Sequence, residues 1–139
     1  MFFVDANVVV YASTDSRYRA GSLAVLEAVA DGAAGTTSVA VLEEVWHLER
    51  SGRLPGIDGI TAEALDVFWP PVPVTGPVLR AAMQLDVTGL GADDLVHVAT
   101  CYGLGIRDVV TADRAFDAAP GLRRVDPLDG AAVRALLAG

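Results

Sequence analysis

Apolar residues recur along the chain in short segments with two different spacings. Some segments are consecutive apolar runs, typical of strands buried on both faces, and others repeat every three or four residues as amphipathic helices do. The predicted strands are Phe2–Asp5, Gly35–Thr37, Val72–Val74, Val109–Thr111 and a short segment near Arg124–Val125. The predicted helices are Ala6–Ala12, Leu23–Ala30, Val41–Leu48, Thr61–Trp69, Pro77–Leu85, Asp94–Tyr102 and Asp129–Leu137.

Capping and turn residues support these boundaries. Ser38 and Thr61 stand where a helix N-cap is expected, and Pro77 fits the first turn of a helix. Gly105 closes one predicted helix and Pro70 another. Because strands alternate with helices, we expect a single three-layer α/β/α domain over residues 1–139, with a central, mainly parallel sheet of four or five short strands.

The composition agrees with a compact domain that needs no disulfide. Hydrophobic residues make up 53% of the chain and charged residues only 20%, the opposite of the balance in disordered proteins. Cys101 is the only cysteine, which excludes an internal disulfide. Prolines interrupt the longest apolar stretch, residues 67–79, so we predict no membrane-spanning segment and a cytoplasmic location.

The charge excludes several classes of enzyme. The net charge is −8, whereas a protein that holds nucleic acid by bulk attraction is basic. All ten basic residues are arginines, and lysine is absent. The missing lysine excludes the P-loop nucleotide hydrolases and enzymes that form a Schiff base.

Acidic residues from distant parts of the chain are predicted to meet at one edge of the sheet. Asp5 ends the first strand, Asp113 follows the Val109–Thr111 strand, and Asp94 begins the helix before that strand. Glu44 lies on the helix after the second strand. Ligands of open α/β sheets bind in the crevice beyond the carboxyl ends of the strands, which is where these side chains are expected.

Carboxylates gathered in one crevice repel each other unless a cation neutralises them. Oxygen ligands suit Mg²⁺ or Mn²⁺, and one cysteine with two histidines is too few for a typical structural zinc site. Such ions assist phosphodiester hydrolysis. Taken singly, Asp94 also fits a helix cap, Asp113 a turn and Glu44 a solvated helix, but Asp5 at the end of a buried strand would be costly without a partner.

Four segments of the sequence resemble the motifs of PIN domains, in particular the VapC toxins of bacterial toxin–antitoxin pairs. The resemblance runs nearly end to end and keeps the order of the motifs. The segments are Val4-Asp5-Ala6-Asn7-Val8, Thr37-Ser38 through Leu42-Glu43-Glu44-Val45, Asp94-Leu95-Val96-His97-Val98-Ala99-Thr100 and Val109-Val110-Thr111-Ala112-Asp113-Arg114-Ala115-Phe116. Val125-Asp126-Pro127 is similar to the closing strand of the family.

The resemblance implies an endoribonuclease that cleaves RNA with metal-activated water and leaves a 3′-hydroxyl and a 5′-phosphate. One or two Mg²⁺ or Mn²⁺ ions would be held by four carboxylates and supported by three hydrogen-bonding residues. The implied ligands are Asp5, Glu44, Asp94 and Asp113, and the supporting residues are Asn7, Ser38 and Thr111. Glu43 and Asp93 remain alternatives to their neighbours. The resemblance also implies a homodimer and an antitoxin that covers the crevice.

Other residues carry weaker predictions. The arginines that could line an approach for RNA are Arg17, Arg19, Arg50, Arg53 and Arg114. We expect His47 and His97 to be packing or hydrogen-bonded residues and not catalysts, although His97 lies three residues after Asp94 and could lean toward the crevice. The aromatic residues expected in the core or in a dimer interface are Trp46, Phe68 and Trp69.

Three other functions compete with the ribonuclease hypothesis. A haloacid-dehalogenase-like phosphatase typically has Asp-x-Asp and a lysine, but Asn7 occupies the third position here and lysine is absent. A receiver domain meets the same objection. A catalytically silent PIN fold that serves as a binding or assembly module stays the principal alternative, with the four acidic positions arguing against it.

Overall fold

The computed structural model describes residues 1–139 as four short strands and seven α-helices. The strands are β1 (Phe2–Val4), β2 (Gly35–Thr36), β3 (Asp108–Val110) and β4 (Arg123–Val125). The helices are α1 (Ala6–Tyr11), α2 (Arg19–Ala30), α3 (Val39–Ser51), α4 (Ile60–Val67), α5 (Gly76–Met83), α6 (Ala92–Leu104) and α7 (Gly130–Ala138). A 3-10 helix, Arg114–Ala118, follows β3.

The four strands form one parallel sheet in the order β2-β1-β3-β4. In the register, Phe3 pairs with Thr36 on one side and with Val109 on the other. Successive residues of a strand point to opposite faces of the sheet, and Phe2, Phe3 and Val4 are all buried. Helices therefore cover both faces, and the predicted three-layer α/β/α architecture is confirmed.

Short polar caps place the helices that carry the acidic residues. Asp5 is the N-cap of α1, so the chain passes from β1 into a helix without a loop. Ser38 caps α3 by accepting a hydrogen bond from the backbone N–H of Val41, as predicted. Gly52 ends α3 with φ of 65°, a left-handed conformation that glycine adopts at no steric cost.

Two local predictions were wrong. Val72–Val74 does not form a strand: only Val72 makes a bridge, to Ser38, because the prolines on both sides of Val72 have no N–H to extend the ladder. Thr61 does not cap α4, which begins one residue earlier after Gly59. The Glu49 carboxylate on α3 instead accepts the Thr61 N–H at 2.9 Å, so a tertiary contact satisfies the helix start.

The aromatic residues divide between the core and the surface. Phe68 is buried in the core, whereas the exposed fractions of Trp46 and Trp69 are 51% and 71%. The core prediction is therefore correct for Phe68 only, and the interface prediction stays open for the two tryptophans. None of the helices has the length and hydropathy needed to cross a membrane.

Candidate active site at the carboxyl ends of the strands

A crevice of about 440 Å³ opens where β1 and β3 end. The four carboxylates predicted from the sequence all line it, together with apolar and polar residues of α1 and α3. The carboxylates come from the β1–α1 junction, α3, α6 and the start of the 3-10 helix. These residues are Asp5, Glu44, Asp94 and Asp113. The topology thus brings together side chains that are up to 108 positions apart in the sequence.

Asp5 lies at the floor of the crevice and is almost completely buried. One carboxylate oxygen, Oδ1, accepts the Ala6 N–H at 2.8 Å. The other, Oδ2, accepts from Asn7 Nδ2 at 3.1 Å and from Thr111 Oγ1 at 2.8 Å. Burial raises the pKa of Asp5, although His97 and the hydrogen bonds from Thr111 and Ala6 oppose the rise.

A network of hydrogen bonds joins the end of β1 to the end of β3. The Thr111 hydroxyl donates to Asp5 and accepts from Asn7 Nδ2 at 2.9 Å and from the Asp113 N–H at 3.1 Å. Asn7 Oδ1 in turn accepts the Ala112 N–H at 3.1 Å. These contacts use the full hydrogen-bonding capacity of the Thr111 hydroxyl, so Asn7 and Thr111 fix the orientation of Asp5.

Ser38, the third residue predicted to support the ligands, makes a different contact. Its hydroxyl oxygen accepts the Val41 N–H within the N-cap of α3. Glu44 lies further along the same helix, so Ser38 fixes the start of the element that carries this carboxylate.

Asp94 lies in the first turn of α6 and is half-buried. Burial and then the negative charges of Asp5 and Asp93 raise the pKa of Asp94 to about 7. Asp93 is exposed, and its Oδ1 accepts the Asp94 N–H at 3.0 Å. Of the two neighbouring aspartates, Asp94 is the one whose side chain lines the crevice.

Of the adjacent residues Glu43 and Glu44, only Glu44 lines the crevice. Glu43 is exposed and lines a separate cavity between α3 and α4. Oε1 of Glu44 is 2.6 Å from Nε2 of His97, a fully buried residue of α6. Burial lowers the pKa of His97, but the hydrogen bond to Glu44 and the nearby carboxylates outweigh this effect and raise the pKa overall.

Asp113 begins the 3-10 helix that follows β3. Its Oδ1 accepts the Ala115 N–H at 2.9 Å, and the backbone N–H of Asp113 donates to Thr111. The 3-10 helix itself was not predicted. Arg124 holds the segment from the other side by ion pairs to Asp117 and Asp126 and by a 3.4 Å hydrogen bond to the Thr111 carbonyl.

The donor atoms of this crevice fit a hard divalent cation. One carboxylate oxygen each of Asp5 and Asp94 and a ring nitrogen of His97 all lie within 4.8 Å of one another. Burial and neighbouring carboxylates raise the pKa values of both aspartates, and a bound cation would stabilise their ionised forms. Mg²⁺ and Mn²⁺ prefer such oxygen-rich sites.

Sequence reasoning did not identify the pairing of His97 with Glu44. The available signal was the spacing of His97 from Asp94, which puts both on nearly the same face of α6. That spacing indicates that the His97 side chain points toward the crevice, but it does not show that α3 lies opposite α6. The partner of His97 depends on the packing of α3 against α6, which only the three-dimensional structure supplies.

Solved structures with the same fold include a protein described as a toxin. VapC20 of Mycobacterium tuberculosis, a sarcin-ricin loop cleaving toxin, is 20% identical, with a TM-score of 0.70 over 86% of this chain and 95% of that one. VapBC2 from Rickettsia felis, bound to a fragment of promoter DNA, is 16% identical, with a TM-score of 0.68 and coverages of 90% and 97%. FitAcB from Neisseria gonorrhoeae is 18% identical, with a TM-score of 0.64 and coverages of 93% and 99%.

A comparison with curated proteins gives no match to the sequence. At these identities the solved structures establish the shared fold alone. The family model for the PIN domain matches residues 2–122, which include all four crevice carboxylates and their supporting residues. The chain belongs to the PIN-domain family.

Proposed function

We propose that this protein is a divalent-metal-dependent endoribonuclease and the toxin of a type II toxin–antitoxin pair. The observation that carries the proposal is the convergence of Asp5, Glu44, Asp94 and Asp113 on one crevice. Membership of the PIN family supports a nuclease. The structural neighbours support the toxin role, since one is described as a toxin that cleaves the sarcin-ricin loop and another, VapBC2, as bound to a DNA fragment from its promoter.

In this proposal the four carboxylates hold one or two Mg²⁺ or Mn²⁺ ions. A bound ion of this kind supplies positive charge for the scissile phosphate and lowers the pKa of a coordinated water. Asn7 and Thr111 keep the Asp5 carboxylate in one orientation through their hydrogen bonds to Oδ2. The N-cap of α3, which Ser38 provides, fixes the start of the helix that carries Glu44.

The net charge of −8 is compatible with an RNA substrate if positive charge is supplied locally. The proposed ions would neutralise the crevice, and exposed arginines such as Arg17, Arg50 and Arg53 would contact phosphates around it. An RNA substrate also agrees with our expectation of a cytoplasmic protein. The proposed partners are the RNA, a cognate antitoxin that covers the crevice and a second copy of the chain.

Two pairs of neighbouring carboxylates allow a matched test of the site. Purified protein is incubated with varied RNAs in Mg²⁺, in Mn²⁺ and in EDTA. We expect metal-dependent cleavage that Asp94→Asn and Glu44→Gln abolish, because each removes a carboxylate of the crevice. Asp93→Asn and Glu43→Gln change the adjacent exposed residue and should retain most of the activity.

Absence of metal-dependent cleavage across varied RNAs would instead favour a silent PIN-fold binding module. Expression in bacteria tests the toxin role separately: the wild-type chain should arrest growth, and Asp5→Asn should not. Growth arrest by a folded Asp5→Asn protein would reject the assigned site.

A further inference from the structure

His97 is a fully buried polar residue that the proposed chemistry does not use directly. It lies on α6 with no exposed surface. Its ring packs against the Phe3 ring of the central strand, with the ring centroids 5.8 Å apart. The ring therefore has little freedom to move, and its Nε2 atom faces the Glu44 carboxylate.

The contact with Glu44 defines the arrangement of protons on the ring. An ionised carboxylate only accepts hydrogen bonds, so Nε2 must carry the proton that lies between the two residues. The other nitrogen, Nδ1, is buried and has no hydrogen-bond partner. The single polar contact of the His97 ring is thus directed to Glu44 Oε1 at 2.6 Å.

Glu44 needs such an anchor more than Asp5 and Asp113 do. Asp5 is held by three hydrogen bonds, and Asp113 accepts a backbone N–H within its own turn. Glu44 has a longer side chain that is 30% exposed, and the His97 contact is its only side-chain hydrogen bond. Without that bond, repulsion from Asp5 and rotamer entropy would favour conformations that point into solvent.

We propose that His97 is a positioning residue that fixes Glu44 Oε1, leaves Oε2 available to a divalent cation, and thereby sets the affinity of the crevice for that cation. The inference rests on the proposed function, because it takes the crevice as the metal site. A ring nitrogen of His97 lies within 4.8 Å of carboxylate oxygens of Asp5 and Asp94, so His97 lies next to two of the other crevice carboxylates. Nε2 already donates to Glu44, so this nitrogen positions a carboxylate and is not itself free to bind a cation.

Binding of Mn²⁺ to the RNA-free protein, measured by calorimetry, tests the inference without relying on activity. His97→Leu removes the donor at similar volume, and we expect Mn²⁺ affinity to fall by about 10- to 100-fold, as is typical when the residue that orients a ligand is lost. His97→Gln keeps an N–H at about the same reach and should restore most of the affinity. Thr100→Val is the control, since it removes a buried hydroxyl of the same helix that contacts only the Val96 carbonyl.

A second pair of variants keeps the test independent of the stability of His97→Leu. His97→Asn and His97→Gln both carry a neutral amide, but the asparagine is one methylene shorter and cannot reach Glu44. We expect weak Mn²⁺ binding for the asparagine variant and near wild-type binding for the glutamine variant. In cleavage assays the weak binders should need more Mn²⁺ and recover their turnover when Mn²⁺ is saturating.

The outcomes separate this inference from the proposed function. Equal Mn²⁺ affinity in the wild-type, His97→Leu and His97→Asn proteins would overturn the positioning role and leave the nuclease proposal intact. Electron spin-echo spectra that show a histidine nitrogen bonded to Mn²⁺ would also overturn it, since His97 would then be a ligand. Failure of the wild-type chain to bind either Mn²⁺ or Mg²⁺ would remove both proposals.

Discussion

At the scale of single residues, ionised carboxylates in the crevice reduce the stability of the folded protein. Asp94 illustrates the cost, because its pKa is raised from 3.8 to about 7 by burial and by neighbouring carboxylates. Between these two pH values the unfolded chain loses this proton while the folded chain keeps it. The unfolded state then binds fewer protons, so the contribution of Asp94 makes stability fall as pH rises from about 4 to about 7.

We therefore predict that Asp94→Asn stabilises the metal-free protein at pH 8 and has little effect at pH 4. The expected gain at pH 8 is about 1 to 2 kcal/mol, well below the full value of the shift because Asp94 is half exposed to solvent. Urea unfolding in EDTA across this pH range measures the difference between the two proteins. A difference that is constant with pH would contradict the assigned charge repulsion. Added Mn²⁺ should stabilise the wild-type protein more than the variant.

Thr111 is a second residue whose substitution should change the free energy of unfolding by a predictable amount. Thr111→Val removes one donor and two acceptor contacts inside a buried network. We expect a loss of about 2 to 3 kcal/mol in the free energy of unfolding, because Asp5, Asn7 and the Asp113 N–H each lose a partner. Thr100→Val, which breaks one contact within its own helix, should cost less. Equal losses in denaturant unfolding would contradict the network.

At the scale of secondary-structure elements, the sequence pattern was sufficient to predict an element where the residues that cap it are its neighbours in the sequence. The strand at Phe2–Val4, the helix that follows Asp5 and the cap at Ser38 were all predicted from neighbouring residues. The start of α4 was not, since the Thr61 N–H is satisfied by Glu49 from another helix. The choice between Glu43 and Glu44 likewise depends on which face of α3 turns toward the sheet.

Close packing of α2 against the segment before α7 gives a prediction at this scale. A Cβ on Gly21 would lie 1.9 Å from the Pro127 carbonyl oxygen, whereas a Cβ on Gly103 of α6 would meet open space. Gly21→Ala should therefore destabilise the protein by more than about 1 kcal/mol. Gly103→Ala should stabilise it by up to about 1 kcal/mol, because alanine is the better helix former. Thermal unfolding of both variants checks the signs, and a stabilised Gly21→Ala would contradict this packing.

At the scale of the whole molecule, the sequence indicated the architecture because each acidic motif ends a strand or begins a helix. Topology then required Asp5 and Asp113 to meet, since parallel neighbours present their carboxyl ends at one edge. The position of His97 opposite Glu44 could not be predicted, because it depends on how α3 and α6 pack across the molecule. The contact between His97 and Glu44 thus depends on tertiary packing, whereas the four carboxylates that line the crevice were identified from the sequence.

The proposed homodimer can be tested on the exposed apolar face of α5. Leu79 and Met83 lie one turn apart on this helix, and their exposed fractions are 49% and 79%. If a second copy covers this face, Met83→Asp should convert a dimer into a monomer, since an unpaired charge would be buried. Light scattering after size-exclusion chromatography measures the mass. A wild-type monomer would contradict the homodimer, and a dimeric Met83→Asp protein would contradict this face. Asp66→Asn, on α4, is a control that should leave the mass unchanged.

The bond between Thr111 and Asp5 links residues that are 106 positions apart. During synthesis, the amino-terminal strand leaves the ribosome long before the segment that completes the crevice. A growing chain therefore carries Asp5 and Glu44 without Asp94, Asp113 or the hydroxyl that orients Asp5. If the proposed activity is correct, the nuclease site cannot form until the segment that carries Thr111 and Asp113 has been translated.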